Sequence, residues 1–330
     1  MTPTVVIHSK QGIGDIIWHL PYVRTIAAAS PGGKVVFLAL PSTHAREVLQ
    51  AEPCVARTVY FESRGPELKR VVHQMRLIGT LRRLRCTTAW FLDVTIRPAL
   101  AAFFAGIPNR IGVGIGPQRW LITNPGVDRG MYREDPFPHH WLDALMVQMR
   151  LTVAEREPNL KLPPESTAAV RRKFGARVRP WIVLGLGGSH PLKQWPHANW
   201  LEFVTALRQR FSGTVFFIGG AAQGPQAAEL IASTAGAPAV DATALSLIEA
   251  AALLREADLF VGHDSGPMNL AVAVGTPAFV MFGATRALTY SKFIRPILPD
   301  DGGSHTLEGM TRISTGNVLA HLVPYLDGLG

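Results

Sequence analysis

Three short stretches hold the side chains best suited to chemistry. The first is Ser9-Lys10-Gln11-Gly12-Ile13-Gly14-Asp15, a Gly-rich loop that ends on a carboxylate where a helix should begin. Gly12 and Gly14 let another molecule approach the backbone closely. Asp15 stands at the very start of the helix, where its ordinary role would be that of an N-cap, contributing about 1 kcal/mol, and chemistry on an approaching molecule is the alternative. The second stretch runs from Gly188 and Ser189 through Lys193 to Trp195-Pro196. Lys193 there is either a plain exposed loop lysine or a cation reaching an anionic ligand. The third is Asp264-Ser265-Gly266-Pro267-Met268-Asn269, in which capping side chains and a Pro suited to a first helical turn precede a helix-compatible run. Free N–H groups at such a helix start favour an anion, phosphate included, although an ordinary α/β unit without a ligand reads the same way.

The elements that must position these stretches follow a regular alternation. Apolar strands are predicted at residues 4–8, 35–40, 55–61 and 87–92, with helices at 16–29, 43–50, 66–85 and from 139 towards 151, and the sequence turns irregular after 110–114. The second half repeats the pattern, with strands at 181–186, 213–218, 259–262 and 278–282 and helices at 197–210, up to 235 and at 268–274, the segment 247–255 leading into the last strand-helix-strand unit. Strands that are apolar throughout indicate parallel sheets covered on both faces, an α/β class. Strand ends at Gly187, Gly219 and Gly262 put small or hydroxyl residues at the carboxyl edge, where ligands bind in open parallel sheets. The first loop is not a dinucleotide fingerprint, because the third Gly of that motif would fall at Ile17, and no Walker loop follows either. The charged, Pro-bearing segment 155–164 is the best linker and divides the chain into domains 1–160 and 161–330.

Composition narrows the classes. The chain has 330 residues, 47% of them hydrophobic, and a formal charge of +9. Most of the surplus lies in the first half, which points to an acidic partner there: nucleic acid, an anionic membrane or an anionic substrate. The helix 66–85 concentrates it. Leu68, Val71, Val72, Met75, Ile78 and Leu81 recur at helical spacing, while Lys69, Arg70, His73, Arg76, Arg83 and Arg85 lie largely off that stripe. This is a solvated basic face or a docking surface for phosphate-bearing lipid or nucleic acid. Without helix-turn-helix, zinc-finger or RNP signatures, no nucleic-acid partner is expected. No signal-peptide pattern and no apolar run of about 18 residues occur, so a cytoplasmic protein is expected. Cys54 and Cys86 read as buried free thiols. His139-His140 lacks a further ligand at helical spacing, and no metal is expected.

Taken together, Gly14-Asp15 with Leu20-Pro21, Gly188-Ser189 with Lys193 and Trp195-Pro196, Asp264-Ser265-Gly266-Pro267 with Leu270-Ala271, and Phe282-Gly283 with Thr285 resemble glycosyltransferase family 9, the bacterial lipopolysaccharide heptosyltransferases and their relatives. The resemblance spans residues 4–285. It implies a GT-B fold of two Rossmann-like domains facing across a cleft, the acceptor mainly on the first and the donor on the second, with the helix 315–326 crossing back. It also implies an inverting transfer that needs no metal or other cofactor, from a nucleotide sugar, ADP-linked in the family's usual case, to an anionic glycolipid or saccharide acceptor. Peripheral contact with the inner face of the membrane fits that acceptor.

Asp15 matches the base position. Gly188, Ser189, Lys193, Asp264, Ser265, Gly266, Pro267, Met268 and Asn269 match the donor side, while Gly12, Gly14 and the basic residues Lys69, Arg76 and Arg83 are assigned to the acceptor side. Two positions depart from the pattern: Asn269 stands where the family usually has His, and Ala221-Ala222-Gln223-Gly224 stands where an acidic residue often meets the donor ribose. Both leave open a different nucleotide sugar or a weakened enzyme, and Asn269 also leaves open a relative that binds nucleotide sugar or glycan without turnover, against which Asp15 and Lys193 stand.

Overall fold

The structure is a computed structural model that describes residues 4–128, 130, 138–188, 190–303 and 305–329. It divides into two units, Met1–Pro158 and Asn159–Gly330. The first contains β1 (Thr4–Ile7), α1 (Ile13–Ala28), β2 (Val35–Ala39), α2 (Ala45–Val48), β3 (Val55–Tyr60), α3 (Glu67–Leu84), β4 (Thr88–Phe91), α4 (Ile96–Phe104), β5 (Asn109–Gly112) and α5 (Pro138–Gln148). Its five strands are all parallel in the order β3-β2-β1-β4-β5, with Ile7 beside both Leu38 and Phe91. The order reverses between β1 and β4. In open parallel sheets the crevice at such a reversal, at the carboxyl ends of the strands, is the ligand position.

The second unit contains α6 (Pro164–Phe174), β6 (Trp181–Gly185), α7 (His197–Arg208), β7 (Thr214–Ile218), α8 (Gly224–Ala232), β8 (Ala239–Asp241), α9 (Leu247–Glu256), β9 (Leu259–His263), α10 (Gly266–Ala273), β10 (Ala278–Met281), β11 (Ile294–Ile297) and α11 (Thr315–Leu326). Its six parallel strands run β11-β10-β9-β6-β7-β8, so the reversal falls between β6 and β9. Gly185 and Gly262 pair there, over the ring of Phe260. A Cβ at Gly185 would come within 2.5 Å of that ring, which explains two glycines inside central strands. The helix α11 packs against α7 and β11, and its Val318, Leu322 and Leu326 join the second unit's core.

Several local expectations change. The apolar stripe of α3 divides: Ile78 and Leu81, with Leu77, are buried, whereas Leu68, Val71, Val72 and Met75 are exposed. Cys86 is buried, but Cys54 is only partly so. Among the described residues, α4, α6, β8 and β11 lack counterparts in the sequence reading. For β11 the cause is Pro296, which removes a ladder donor and is tolerated because the strand is an edge.

Candidate active site

In the first unit, the reversal point is built by the loops that follow β1 and β4. Ser9 N–H donates to Asp93 Oδ2 at 2.7 Å, and Thr95 N–H donates to Asp93 Oδ1 at 2.8 Å. The Gln118 side-chain amide donates to the Asp93 carbonyl at 2.8 Å. Asp93 is buried, and each of its carboxylate oxygens accepts from one of the two loops and so holds them together.

On that frame Asp15 is the third residue of α1. It is not the N-cap: the extended residue Gly12 occupies that place and donates its N–H to Asp15 Oδ2 at 3.2 Å. A Cβ at Gly12 would lie 3.1 Å from the same oxygen, so this glycine gives room to the carboxylate. Gly14 follows in the first turn. The other oxygen, Oδ1, lies 3.5 Å from Lys10 Nζ, and the Asp15 side chain remains 34% exposed. It is therefore open to a substrate and carries a cation beside it.

The floor beneath is unusual. His8, at the end of β1, and His19, on α1, are fully buried and meet edge to face with ring centroids 4.9 Å apart. The two ring nitrogens of His19 have no hydrogen-bond partner among the described residues, and the Asp15 backbone lies near the His8 ring. Burial lowers both pKa values; for His8 this outweighs the opposing pull of Asp93 and Asp15. Burial also brings His139 on α5 down to about 4. Trp18 packs edge to face on that ring, and Lys10 Nζ lies 5.8 Å from the Trp141 ring centre. At neutral pH this wall of imidazoles and indoles is uncharged.

The remaining acceptor-side residues lie along α3. Arg76 and Arg83 line a cavity of about 440 Å³ with Tyr60, Glu62, His73 and Thr80. Lys69 and Arg76 line its neighbour of about 510 Å³, which shares Glu62 and His73. Glu62 accepts from His73 Nε2 at 2.8 Å.

In the second unit the reversal point brings together the loops after β6, β9 and β10. Lys193 Nζ pairs with Asp264 Oδ2 at 2.7 Å, and the Thr285 hydroxyl donates to the same oxygen at 2.9 Å. Asp264 thus aims the lysine and does not cap the following helix. The ammonium has three donors, and this pair uses one. Ser265 is the N-cap of α10 by position only. Its hydroxyl makes no cap bond, is buried and has no partner among the described residues. Gly266 and Pro267 form the first turn, so the helix starts with no side-chain acceptor on its N–H groups. The Met268 side chain is fully buried, which leaves only its backbone to face a ligand. The Asn269 side-chain amide donates to the Ser265 carbonyl at 2.7 Å, one turn back.

His263 supports this arrangement from below. Its Nε2 accepts the Trp195 N–H at 2.9 Å, and burial lowers its pKa to about 4. The Trp195 indole donates to the Ile313 carbonyl at 2.8 Å, and its ring meets Trp200 edge to face. The Trp-Pro segment is thus the anchor that fixes the Lys193 loop. Gly188 lies in that loop beside Gln194, where a Cβ would come 3.1 Å from Gln194 Cγ. Ser189 lies outside the described residues. The sequence reading missed Asp93, for which a carboxylate closing the 87–92 strand was the available signal, and it gave no role to Lys10.

Two all-parallel α/β units, each with its loops gathered at a strand-order reversal, make an architecture of GT-B type. The model of glycosyltransferase family 9 (heptosyltransferase) matches residues 75–302, and the chain belongs to that family. It is 24% identical over 301 residues to lipopolysaccharide heptosyltransferase 2 of Salmonella typhimurium, covering 84% of this chain and 82% of the relative. It is 31% identical over 134 residues to lipopolysaccharide heptosyltransferase 3 of Escherichia coli, covering 39% of each. Among solved structures, E. coli ADP-heptose lps heptosyltransferase II superposes with a TM-score of 0.77 at 21% identity, over 99% of both chains. E. coli heptosyltransferase WaaC with ADP-2-deoxy-2-fluoro heptose superposes with a TM-score of 0.73 at 13% identity, over 98% of this chain and 99% of that one.

Proposed function

We propose that the protein is an inverting, metal-independent heptosyltransferase of the cytoplasm that moves heptose from ADP-heptose to an anionic lipopolysaccharide-type acceptor at the inner face of the membrane. The observation that carries the reading is the Lys193–Asp264 pair beside the uncapped start of α10, within a family-9 chain. The second unit is the donor side. Lys193 and the first-turn N–H groups of α10 meet the diphosphate, and their fixed positive potential stabilises the charge that grows as the bond from the anomeric carbon to the diphosphate oxygen breaks. That source of charge is what makes a metal unnecessary in this reading. Gly188 and Ser189 belong to the same side.

The first unit is the acceptor side. Asp15 takes the proton from the acceptor hydroxyl as its oxygen bonds to the anomeric carbon, and Lys10 holds the carboxylate in place. The cavities along α3 receive anionic groups of the acceptor through Lys69, Arg76 and Arg83. The test is turnover of ADP-heptose with a heptose-deficient lipopolysaccharide core, run beside a panel of other nucleotide sugars. Binding of ADP-heptose without transfer to any such acceptor would favour a binding protein, a reading that the Asn269 bond to Ser265 would then explain as a retuned, non-turning site.

A further inference from the structure

The exposed half of α3 makes a second surface. On a helix, positions seven apart fall nearly on one line. Lys69, Arg76 and Arg83 form one such line, which borders the cavities. The adjacent line holds Leu68 and Met75, with Val71 and Val72 at its sides. Leu68 is 78% exposed and Met75 61% exposed, which no folding argument requires. The surface continues onto α4. Gln74 donates to the Arg97 carbonyl and Arg82 to the Phe104 carbonyl, so the two helices run side by side, and Ile96, Phe103 and Phe104 are exposed on the second. The short turn Gly116–Trp120 packs on α4 and carries Trp120, which is 85% exposed.

Half of the exposed large apolar side chains among the described residues thus belong to these two neighbouring helices. Their setting is strongly basic: residues 64–119 hold ten Lys or Arg against two Asp or Glu. A protein partner for an apolar patch would be matched by shape, and a nucleic acid by charge without aliphatic side chains. Aliphatic and aromatic groups beside dense positive charge instead match the acyl boundary and phosphates of an anionic bilayer.

We infer that the α3–α4 face is a membrane-docking surface, with Leu68, Val71, Met75, Phe104 and Trp120 entering the interface and the flanking basic residues meeting anionic headgroups. The inference rests on the reading of the acceptor as a membrane glycolipid, and it places that bilayer against the side of the unit where the α3 cavities open. The apolar contacts act on surface capture alone, so a water-soluble acceptor does not need them.

The experiment is sedimentation of the full chain with vesicles of phosphatidylcholine containing roughly one-third phosphatidylglycerol, against vesicles of phosphatidylcholine alone. The native chain should bind the anionic vesicles and release from them as salt rises. Val71→Ser, Met75→Ser and Phe104→Ser combined should weaken that binding about tenfold or more, while the same variant transfers sugar to a soluble core saccharide at the native rate. Circular dichroism and thermal melting establish that the variant is folded. Unchanged vesicle binding in the folded variant, or a native dimer that the substitutions convert to monomer, would overturn the inference and leave the transfer reading standing. Vesicle binding without transfer from any nucleotide sugar would overturn the transfer reading and keep the surface.

Discussion

At the scale of single side chains, the proposed donor site rests on Lys193. Its ammonium is held by Asp264 beside the start of α10, so removing it deletes a fixed charge and leaves the nucleoside contacts alone. Lys193→Ala should weaken ADP binding about tenfold or more and leave adenosine binding nearly unchanged, as measured by calorimetry; equal losses for both would remove Lys193 from the diphosphate site. Asn269 is the finer case, because its amide is turned to the Ser265 carbonyl and carries no charge. In Asn269→His, an imidazole in the first turn of the helix can become cationic. ADP binding should then tighten more at pH 6 than at pH 8; a pH-independent change would mean that the position senses another part of the donor. The positions of Asp15 and Lys193 in strand-end loops were legible in the sequence. Asp93 was not, because its partner Ser9 is distant in sequence and becomes its neighbour only through the strand order.

Helix α3 carries the lesson at the scale of elements. Its apolar spacing was visible in the sequence, but spacing alone does not say which residues meet a sheet, and the first two turns extend past the buried contacts of Leu77, Ile78 and Leu81. The outcome is a helix with a buried face, a cavity-lining face and an exposed apolar face. Charge reversal at Arg76 and Arg83 should raise KM for an anionic acceptor several-fold and flatten its dependence on salt, with KM for the donor unchanged. An acceptor KM unchanged at low salt would leave these arginines as a solvated face. In the second sheet, Gly185→Ala drives a methyl into the Phe260 ring and should cost about 1–3 kcal/mol in urea unfolding. Neutral stability would mean that the ring moves aside freely. Helix α4 escaped the sequence reading because Pro98 interrupts its start and Ala99–Ala102 gives little periodicity, while β8 is only three residues long.

Across the whole molecule, the alternation of apolar strands and helices disclosed two parallel α/β units, but not their strand orders, which depend on pairings between distant segments. Both units also bury neutral histidines. His139 and His263 titrate at about 4 in the folded chain and near 6.5 when unfolded, so the unfolded state binds the extra protons as pH falls through that window. Their stabilising effect is fully present above pH 6.5 and is lost towards pH 4, by up to about 3 kcal/mol for each. The urea midpoint should therefore drop between pH 7.5 and pH 5, with a smaller drop in His263→Gln; identical drops in both proteins would show that His263 does not contribute.

The central claim is that Asp15, open to substrate at the reversal point of the first sheet, is the base of a sugar transfer. The most direct measurement is the turnover of Asp15→Asn with ADP-heptose and a heptose-deficient core acceptor, together with its ADP affinity. The account predicts a fall in kcat of roughly 10²–10⁴-fold with donor binding and folding stability nearly intact. Near-native turnover accompanied only by a loss of stability would contradict it and leave Asp15 as an acceptor for the Gly12 N–H at the start of α1.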